Sequence, residues 1–558
     1  MAKCYVNKQA FTSCIKNKNM KLLKQLLILL LISHISFAQT WQDTISLIDK
    51  AFSQYLPTDP GCQLSVSRNG QVIFSKAWGM ADLERNTPLS TNSILEGGSV
   101  SKQFTAAAIL LLEQQGKLSL DDDVRKYVPE LPDYGTPIKL RQMMHHASGL
   151  RDWGSVAELT GWPRSRKFYS NDDALEIIAR QQHLNNKPGG EYIYSNSNYN
   201  LFAIIVQRVS GLSLAAFTRK YIFEPAGMVH TQWRDDPNRI VLNRAIAYSK
   251  QDSVFITNMP NEYVYGNGGL LTTTEDLLKW SDFYQGSKLG TTSLLSKQVQ
   301  TDPLNNGVMN PYGAGLFIRK VMGWNNISHS GATAGYRAYL ETFPELNLTI
   351  AMLSNTSQFN IAEVESRIRR IFVPDRSEPA AKNKSDINLS EAVLRRFEGM
   401  YVSERDHSTF QLSVKDSLLM LDNDLPLFVV AANSFKGSGI FFQIDGSKGI
   451  YITSSPIDTI HFTKVKQAMP SQKELDIYAG NYFSEETNSD IIIQHNNGAL
   501  ILHIKPGQDY PLTPTYADAF KSTDLDGAVW FNRNAQNKIT SFKISVSRAR
   551  NVEFKKVK

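Results

Sequence analysis

Residues 96–118 read EGGSVSKQFTAAAILLLEQQGKL and place the hydroxyl of Ser99 three positions before the amine of Lys102. A serine hydroxyl is a weak nucleophile until a neighbouring base takes its proton. Residues three apart share a helix face, so this spacing brings Oγ and Nζ together. A helix N-terminus adds free N–H groups and partial positive charge where an oxyanion would form. Lysine at its ordinary pKa is neutral only about once in a few thousand at pH 7. Lowering that pKa by about three units needs about 4 kcal/mol, which burial can supply. The apolar run at residues 106–112 provides such a low-dielectric site.

Serine and lysine are common, so S-x-x-K alone is weak evidence. Two further segments carry chemistry-bearing residues. PGGEYIYSNSNYNLFAIIV (188–206) sets Tyr194 two residues before Asn196 at the start of an apolar helix, and WNNISHSGATAGYRAYLETF (324–343) puts His329-Ser330-Gly331 on a strand. Other tempting groups have ordinary readings. His145 and His146, beside Ser148-Gly149-Leu150, read as scaffold. Residues 266–269 (GNGG) lack the strand–loop–Lys context of a phosphate loop, and Thr273-x-x-Asp276 reads as a capping box, so the glycines read as a loop along a cleft. Arg337 suits a substrate carboxylate or an ordinary ion pair equally. None of the ten histidines shows metal-ligand spacing, so neither metal nor cofactor is expected.

The elements that must position these groups follow from periodicity. Trp41, Ile45, Ile48, Phe52 and Tyr55 recur at helical spacing. Residues 62–79 form two alternating runs around Asn69-Gly70, a hairpin signal, and Gly116 ends the serine helix. Residues 120–230 read as helical, strands are predicted at 327–330, 336–343 and 348–353, and a helix at 361–371 closes the region. Strands at both ends with helices between them predict a sheet built from distant parts of the chain, an α+β fold. No G-x-S-x-G elbow is present, against an α/β-hydrolase. PDRSEPAAKNKS (374–385) reads as a linker. Beyond it FEGMYVSE (397–404) is repeated as YAGNYFSE (478–485), and IHFTKV (460–465) as VEFKKV (552–557), predicting two small all-β domains. Neither unit shows residues that look catalytic. The expected division is a signal at 1–38 (with Met20 as an alternative start), a hydrolase domain at 39–373, a linker at 374–390, and β-domains at 391–467 and 468–558.

Ser99-x-x-Lys102, Tyr194-x-Asn196 and His329-x-Gly331, in that order, resemble the three motifs of the class C β-lactamase and penicillin-binding-protein superfamily of serine hydrolases. MMHHASGL (143–150), YGNGGLLTTTEDLLKW (265–280) and GKLSLDDDVRKYVPELP (116–132) are similar to the family as well, and the likeness spans about residues 60–375. It implies a β-lactamase/transpeptidase-like fold: an antiparallel sheet flanked by helices, with a helical subdomain. It implies Ser99 as the nucleophile of an acyl-enzyme, with Lys102 and Tyr194 sharing the base work. A tyrosine base implies a phenol pKa pulled down by cations such as Lys102. Asn196 would bond the substrate amide, His329 and Gly331 would line the substrate site, and the backbone N–H groups of Ser99 and Ala332 would form the oxyanion hole. The family usually carries Lys-Thr-Gly at the third motif, a fixed cation for a substrate carboxylate. A histidine of ordinary pKa there predicts weaker, pH-dependent carboxylate binding and argues against efficient β-lactam hydrolysis. Such His-x-Gly variants occur among D-amino-acid peptidases, DD-carboxypeptidases and esterases of the superfamily. The expected activity is hydrolysis of a small amide or ester, with a carboxylesterase or a penicillin-binding sensor without turnover as the alternatives.

The formal charge of +7 says little about partners. Six of the 60 basic residues are lysines within residues 1–40, which hold no acid, leaving 54 basic against 53 acidic residues beyond them. No basic stripe predicts nucleic-acid binding. The lysines precede LLILLLIS (26–33) and a small-residue ending at Ala38, the pattern of a secretory signal; the run is shorter than the roughly 20 residues that span a bilayer. The expected product is periplasmic or secreted, with no transmembrane span after cleavage. Its expected partner is a small-molecule or peptide substrate, and its β-domains are candidates for contact with envelope polymer. Cys4 and Cys14 leave with the signal, so Cys62 stands alone as a buried thiol and no internal disulfide is expected.

Overall fold

The computed structural model describes residues 41–285, 292–377, 387, 389–446, 449–455, 457–505 and 507–557. The expected signal lies outside these residues, as does the middle of the expected linker. A six-stranded antiparallel sheet runs in the order Phe317–Val321, Trp324–Thr333, Tyr336–Phe343, Leu348–Ser354, Cys62–Arg68, Gln71–Trp78. The first hairpin therefore closes onto the last strand, with Cys62 opposite Ser354. Asn69 and Gly70 both have positive φ (53° and 73°), as a tight two-residue hairpin turn requires.

Both faces of the sheet are buried, and alternation divides their side chains. Leu348, Ile350 and Met352 face a core shared with Ile48, Phe52, Val364 and Ile368, so the helices at residues 41–51 and Ile361–Phe372 cover that side. Ala351 and Leu353 face the larger core, which holds Phe104, Ile109 and Leu112 of the helix Lys102–Gln114 and the apolar face of the helix Asn196–Ser210. Cys62 is buried and free, its thiol pKa raised by burial, which leaves it inert. The expected α+β arrangement is present. The strand predicted at 327–330 is longer, Trp324–Thr333, because pairing continues through the polar residues Asn325 and Thr333.

Beyond it stand two closed eight-stranded antiparallel barrels, from Gly399–Ser403 to Asp458–Val465 and from Gly480–Ser484 to Ala549–Lys556. The repeated words have a physical basis. Tyr401 donates its hydroxyl hydrogen to Phe397 O at 2.9 Å, and Tyr482 to Tyr478 O at 2.7 Å. Gly399 and Gly480 adopt φ of +140° and +149°, and a Cβ at either would meet the Cε of Lys464 or Lys556 at 2.6 Å. The first barrel encloses a core of its own around Tyr401, Phe410 and Phe442. The core of the second, around Tyr482, Phe531 and Phe542, is continuous with the larger core beside the six-stranded sheet.

Candidate active site

The short strand Leu95–Glu96 pairs with Leu270–Thr272 and feeds the chain into a 3-10 turn, Gly98–Ser101, from which the helix Lys102–Gln114 continues. Side chains three apart eclipse in a 3-10 turn, so Ser99 and Lys102 stand one above the other. Ser101 locks the turn: its hydroxyl donates to Gly98 O at 2.5 Å and accepts Leu270 N–H at 3.1 Å. Gly98, at φ +49°, and Gly331 let the strand Trp324–Thr333 press against the turn. A Cβ on Gly331 would lie 2.0 Å from Gly97 O and 3.0 Å from Ser99 N, and one on Gly98 would lie 2.7 Å from Ala332 N. The backbone of Ala332 is thereby brought beside Ser99.

Lys102 is fully buried. Its Nζ stands 3.0 Å from Ser99 Oγ, 2.9 Å from Asn196 Oδ1 and 2.6 Å from Asn267 O. Two of these partners are carbonyl oxygens, which only accept, and the third is a hydroxyl, which can donate. A neutral amine has two N–H bonds and one lone pair, so it satisfies all three with the lone pair directed at the serine proton. Burial pushes the Lys102 pKa well below its ordinary range; Arg548 and Arg164 push the same way and Asp152 opposes them. The amine is thus built to be a base.

Asn196 begins its helix where Asp152 holds it: Asp152 Oδ2 accepts Asn196 N–H at 2.6 Å, while Oδ1 accepts the N–H groups of Gly154 and Ser155 and caps the helix Trp153–Leu159. Lys102 Nζ and the Arg548 guanidinium carbon each lie 4.7 Å from the ring centroid of Tyr194. Its hydroxyl is buried and makes no hydrogen bond of good geometry among the described residues. The expectation that cations lower its pKa is corrected: burial raises it, Ser99 and Arg548 pulling only partly back. Tyr194 is a neutral phenol whose hydroxyl lies beside Ser99 without a hydrogen bond of good geometry.

The expectation of a partly charged histidine is corrected too. Nδ1 of His329 donates to Ser330 O at 2.6 Å, and Nε2 accepts the Tyr312 hydroxyl hydrogen at 2.9 Å. Burial, with Lys102 nearby, lowers its pKa to about 3. His329 is neutral at physiological pH, so it supplies no charge to a substrate carboxylate. His145 and His146 are scaffold, as their sequence context suggests. His145 Nδ1 donates to Tyr312 O, and His146 Nδ1 accepts Ser195 N–H while its ring packs 4.2 Å from that of Tyr194. Thr273 Oγ1 accepts Asp276 N–H, but Asp276 does not complete the expected capping box: its carboxylate turns instead to His230 N and the Thr231 hydroxyl. Residues 266–269 form the opposite wall, where Asn267 O meets Lys102. Arg337 forms no ion pair among the described residues; its guanidinium donates to Ala334 O and Tyr336 O. It lines, with Ala332, Glu158 and Arg164, a cavity of about 430 Å³ beside the nucleophile.

A family model described as Beta-lactamase matches residues 48–372, more than half of the chain. The chain belongs to the beta-lactamase family. This beta-lactamase-family serine hydrolase is 25% identical over 536 residues to a D-aminopeptidase of Brucella anthropi, covering 92% of this chain and 99% of that protein. It is 29% identical over 393 residues to penicillin-binding protein 4* of Bacillus subtilis (strain 168), covering 64% and 82%. The structure of the octameric penicillin-binding protein homologue from Pyrococcus abyssi superposes with a TM-score of 0.52 at 22% identity over 75% of this chain and 99% of that one, a likeness of fold.

Three residues around this site escape motif reading: Asp152, Tyr312 and Arg548. Asp152 carries a faint signal as an N-cap type before Trp153. Arg548 carries none, because it lies in the turn between the last two strands of the second barrel. That barrel docks onto the hydrolase domain. Arg548 O accepts Asp152 N–H at 3.2 Å and Asn185 Nδ2–H at 2.8 Å, and a buried ion pair joins Arg151 to Glu486 at 2.7 Å. Neither β-unit looks catalytic in the sequence, yet the second one brings Arg548 to 4.7 Å from the Tyr194 ring centroid.

Proposed function

We propose that this beta-lactamase-family member is an exported hydrolase that cleaves small amides or esters, most suitably peptides bearing D-residues, through an acyl-enzyme on Ser99. The 3.0 Å approach of a buried Lys102 amine to Ser99 Oγ carries this reading. The lysine-flanked apolar stretch at the N-terminus supports export, and the likeness to D-aminopeptidases supports the substrate class. Ser99 Oγ attacks the substrate carbonyl carbon and its proton passes to Lys102 Nζ. The N–H groups of Ser99 and Ala332 face the oxyanion that forms. As the tetrahedral species collapses, the C–N or C–O bond breaks and the leaving group takes the proton, with the Tyr194 hydroxyl beside Ser99 placed to relay it. Water then cleaves the acyl ester by the reverse of these proton movements.

The test is turnover of D-aminoacyl anilides, p-nitrophenyl esters and a chromogenic cephalosporin by the native chain and by Ser99→Ala, Lys102→Ala and Tyr194→Phe. Ser99→Ala should keep the fold and lose turnover, and the other two should slow acylation by about 100-fold or more. Full activity in Ser99→Ala removes the proposal. An acyl adduct that persists in intact mass spectra without product would instead make the protein a sensor.

A further inference from the structure

Arg548 crosses from the second barrel to the ring of Tyr194, and its charge reaches its neighbours Lys102 and Glu158 only through space. The guanidinium carbon lies 4.7 Å from the ring centroid, and the side chain is half-buried. Among the described residues it forms no ion pair. The neighbouring arginines are committed: Arg164 to Glu262, Arg234 to Glu96, and Arg337 to two backbone carbonyls. The turn that carries it is fixed in place. Asn185 clamps it with both ends of its amide, Nδ2 donating to Arg548 O at 2.8 Å and Oδ1 accepting Arg550 N–H at 2.8 Å, while Asp152 N–H donates to the same Arg548 carbonyl. A guanidinium stacked on an aromatic face keeps its N–H edges free, and those edges match a carboxylate in a two-bond fork.

The rest of the site makes the need for such a group plain. His329 is held as a neutral tautomer by Ser330 O and Tyr312, and Lys102 is occupied by Ser99, Asn196 and Asn267. Glu158, the exposed acid at the mouth, feels the Arg548 charge, which opposes the rise that burial gives its pKa, but the two do not come within ion-pair distance.

Resting on the hydrolase reading above, we infer that Arg548 is a substrate-binding residue supplied by the C-terminal barrel, and that it selects substrates carrying a carboxylate next to the scissile bond. The carboxylate cation of this site would then come from a part of the chain that no motif near the nucleophile announces. The same charge also helps keep Lys102 deprotonated, alongside Arg164 and against Asp152.

The test uses the full chain as the native protein, Arg548→Ala and Arg337→Ala, with N-acetyl-D-alanyl-D-alanine, its C-terminal carboxamide and p-nitrophenyl acetate as substrates. Rates are compared at a pH above the acid limb of each variant, because removing Arg548 shifts that limb upward for every substrate. The native protein should prefer the acid over the amide by tenfold or more in kcat/KM. Arg548→Ala should lose that preference through KM, and Arg337→Ala should keep it. Equal losses on acid and amide in Arg548→Ala, no preference in the native protein, or loss of preference in Arg337→Ala instead, would each overturn the inference. Failure of the native protein to turn over even the ester through Ser99 would sink the hydrolase reading. In that case calorimetric binding of N-acetyl-D-alanine against N-acetyl-D-alaninamide, to the native protein and Arg548→Ala, still decides the role of Arg548.

Discussion

Three histidines within the catalytic domain, His145, His146 and His329, are buried and have pKa values lowered chiefly by burial. An unfolded chain protonates each near its ordinary value of 6.5, whereas folded His329 resists down to about 3. Between those limits the unfolded state binds more protons, so folding stability falls as pH drops from about 6.5 toward 3. Each such group contributes a slope of up to about 1.4 kcal/mol per pH unit. Urea denaturation between pH 4 and 7 should show this decline, and His329→Gln should flatten it by about one proton. An unchanged slope in the variant would mean His329 titrates normally in the folded chain. The side chains brought together around Ser99 are those whose short spacings stand out in the sequence: Lys102 three away, then Tyr194 with Asn196, then His329 with Gly331. Their protonation states are not legible there. Burial sets them, through partners such as Tyr312 that lie far away in sequence.

At the scale of elements, the site depends on one strand pressing against one turn. Gly331→Ala would drive a Cβ into Gly97 O at 2.0 Å and crowd Ser99 N, and both atoms are backbone that cannot swing aside. The strand must retreat, moving Ala332 N away from the serine. Acylation by a p-nitrophenyl ester should fall by about 100-fold, as expected for loss of an oxyanion donor, with circular dichroism unchanged. Near-native acylation would show that Ala332 does not serve the oxyanion. Five of the six sheet strands, the Asn69-Gly70 hairpin and the serine helix are readable from alternation and turn residues, whereas the edge strand Phe317–Val321 is not. The closeness of strand to turn is not, because a glycine in a motif does not say which backbone it must admit.

Across the whole molecule, the two barrels share a fold but differ in what they touch. The first has a separate core, while the second continues the catalytic core and buries Arg151 against Glu486. Glu486 also accepts the N–H groups of Gln182 and His183. Glu486→Ala would strand a buried guanidinium and should destabilise the protein by about 3–5 kcal/mol in chemical denaturation. Replacing both partners with Met should cost far less; equal losses in the two proteins would show that the pair is not desolvated in solution. The repeat makes the existence of two β-units readable from sequence, but their unequal docking comes from side chains outside the repeated words.

Arg151 and Glu486 are 335 residues apart in the chain. A ribosome finishing the nucleophile's helix must still add most of the polypeptide before the arginine's counter-charge exists. Until then the early half carries an uncompensated cation at a surface meant to be covered, and the turn that reaches Tyr194 has not been made. Docking of the last barrel is therefore what completes both the Arg151–Glu486 pair and the approach of Arg548 to Tyr194.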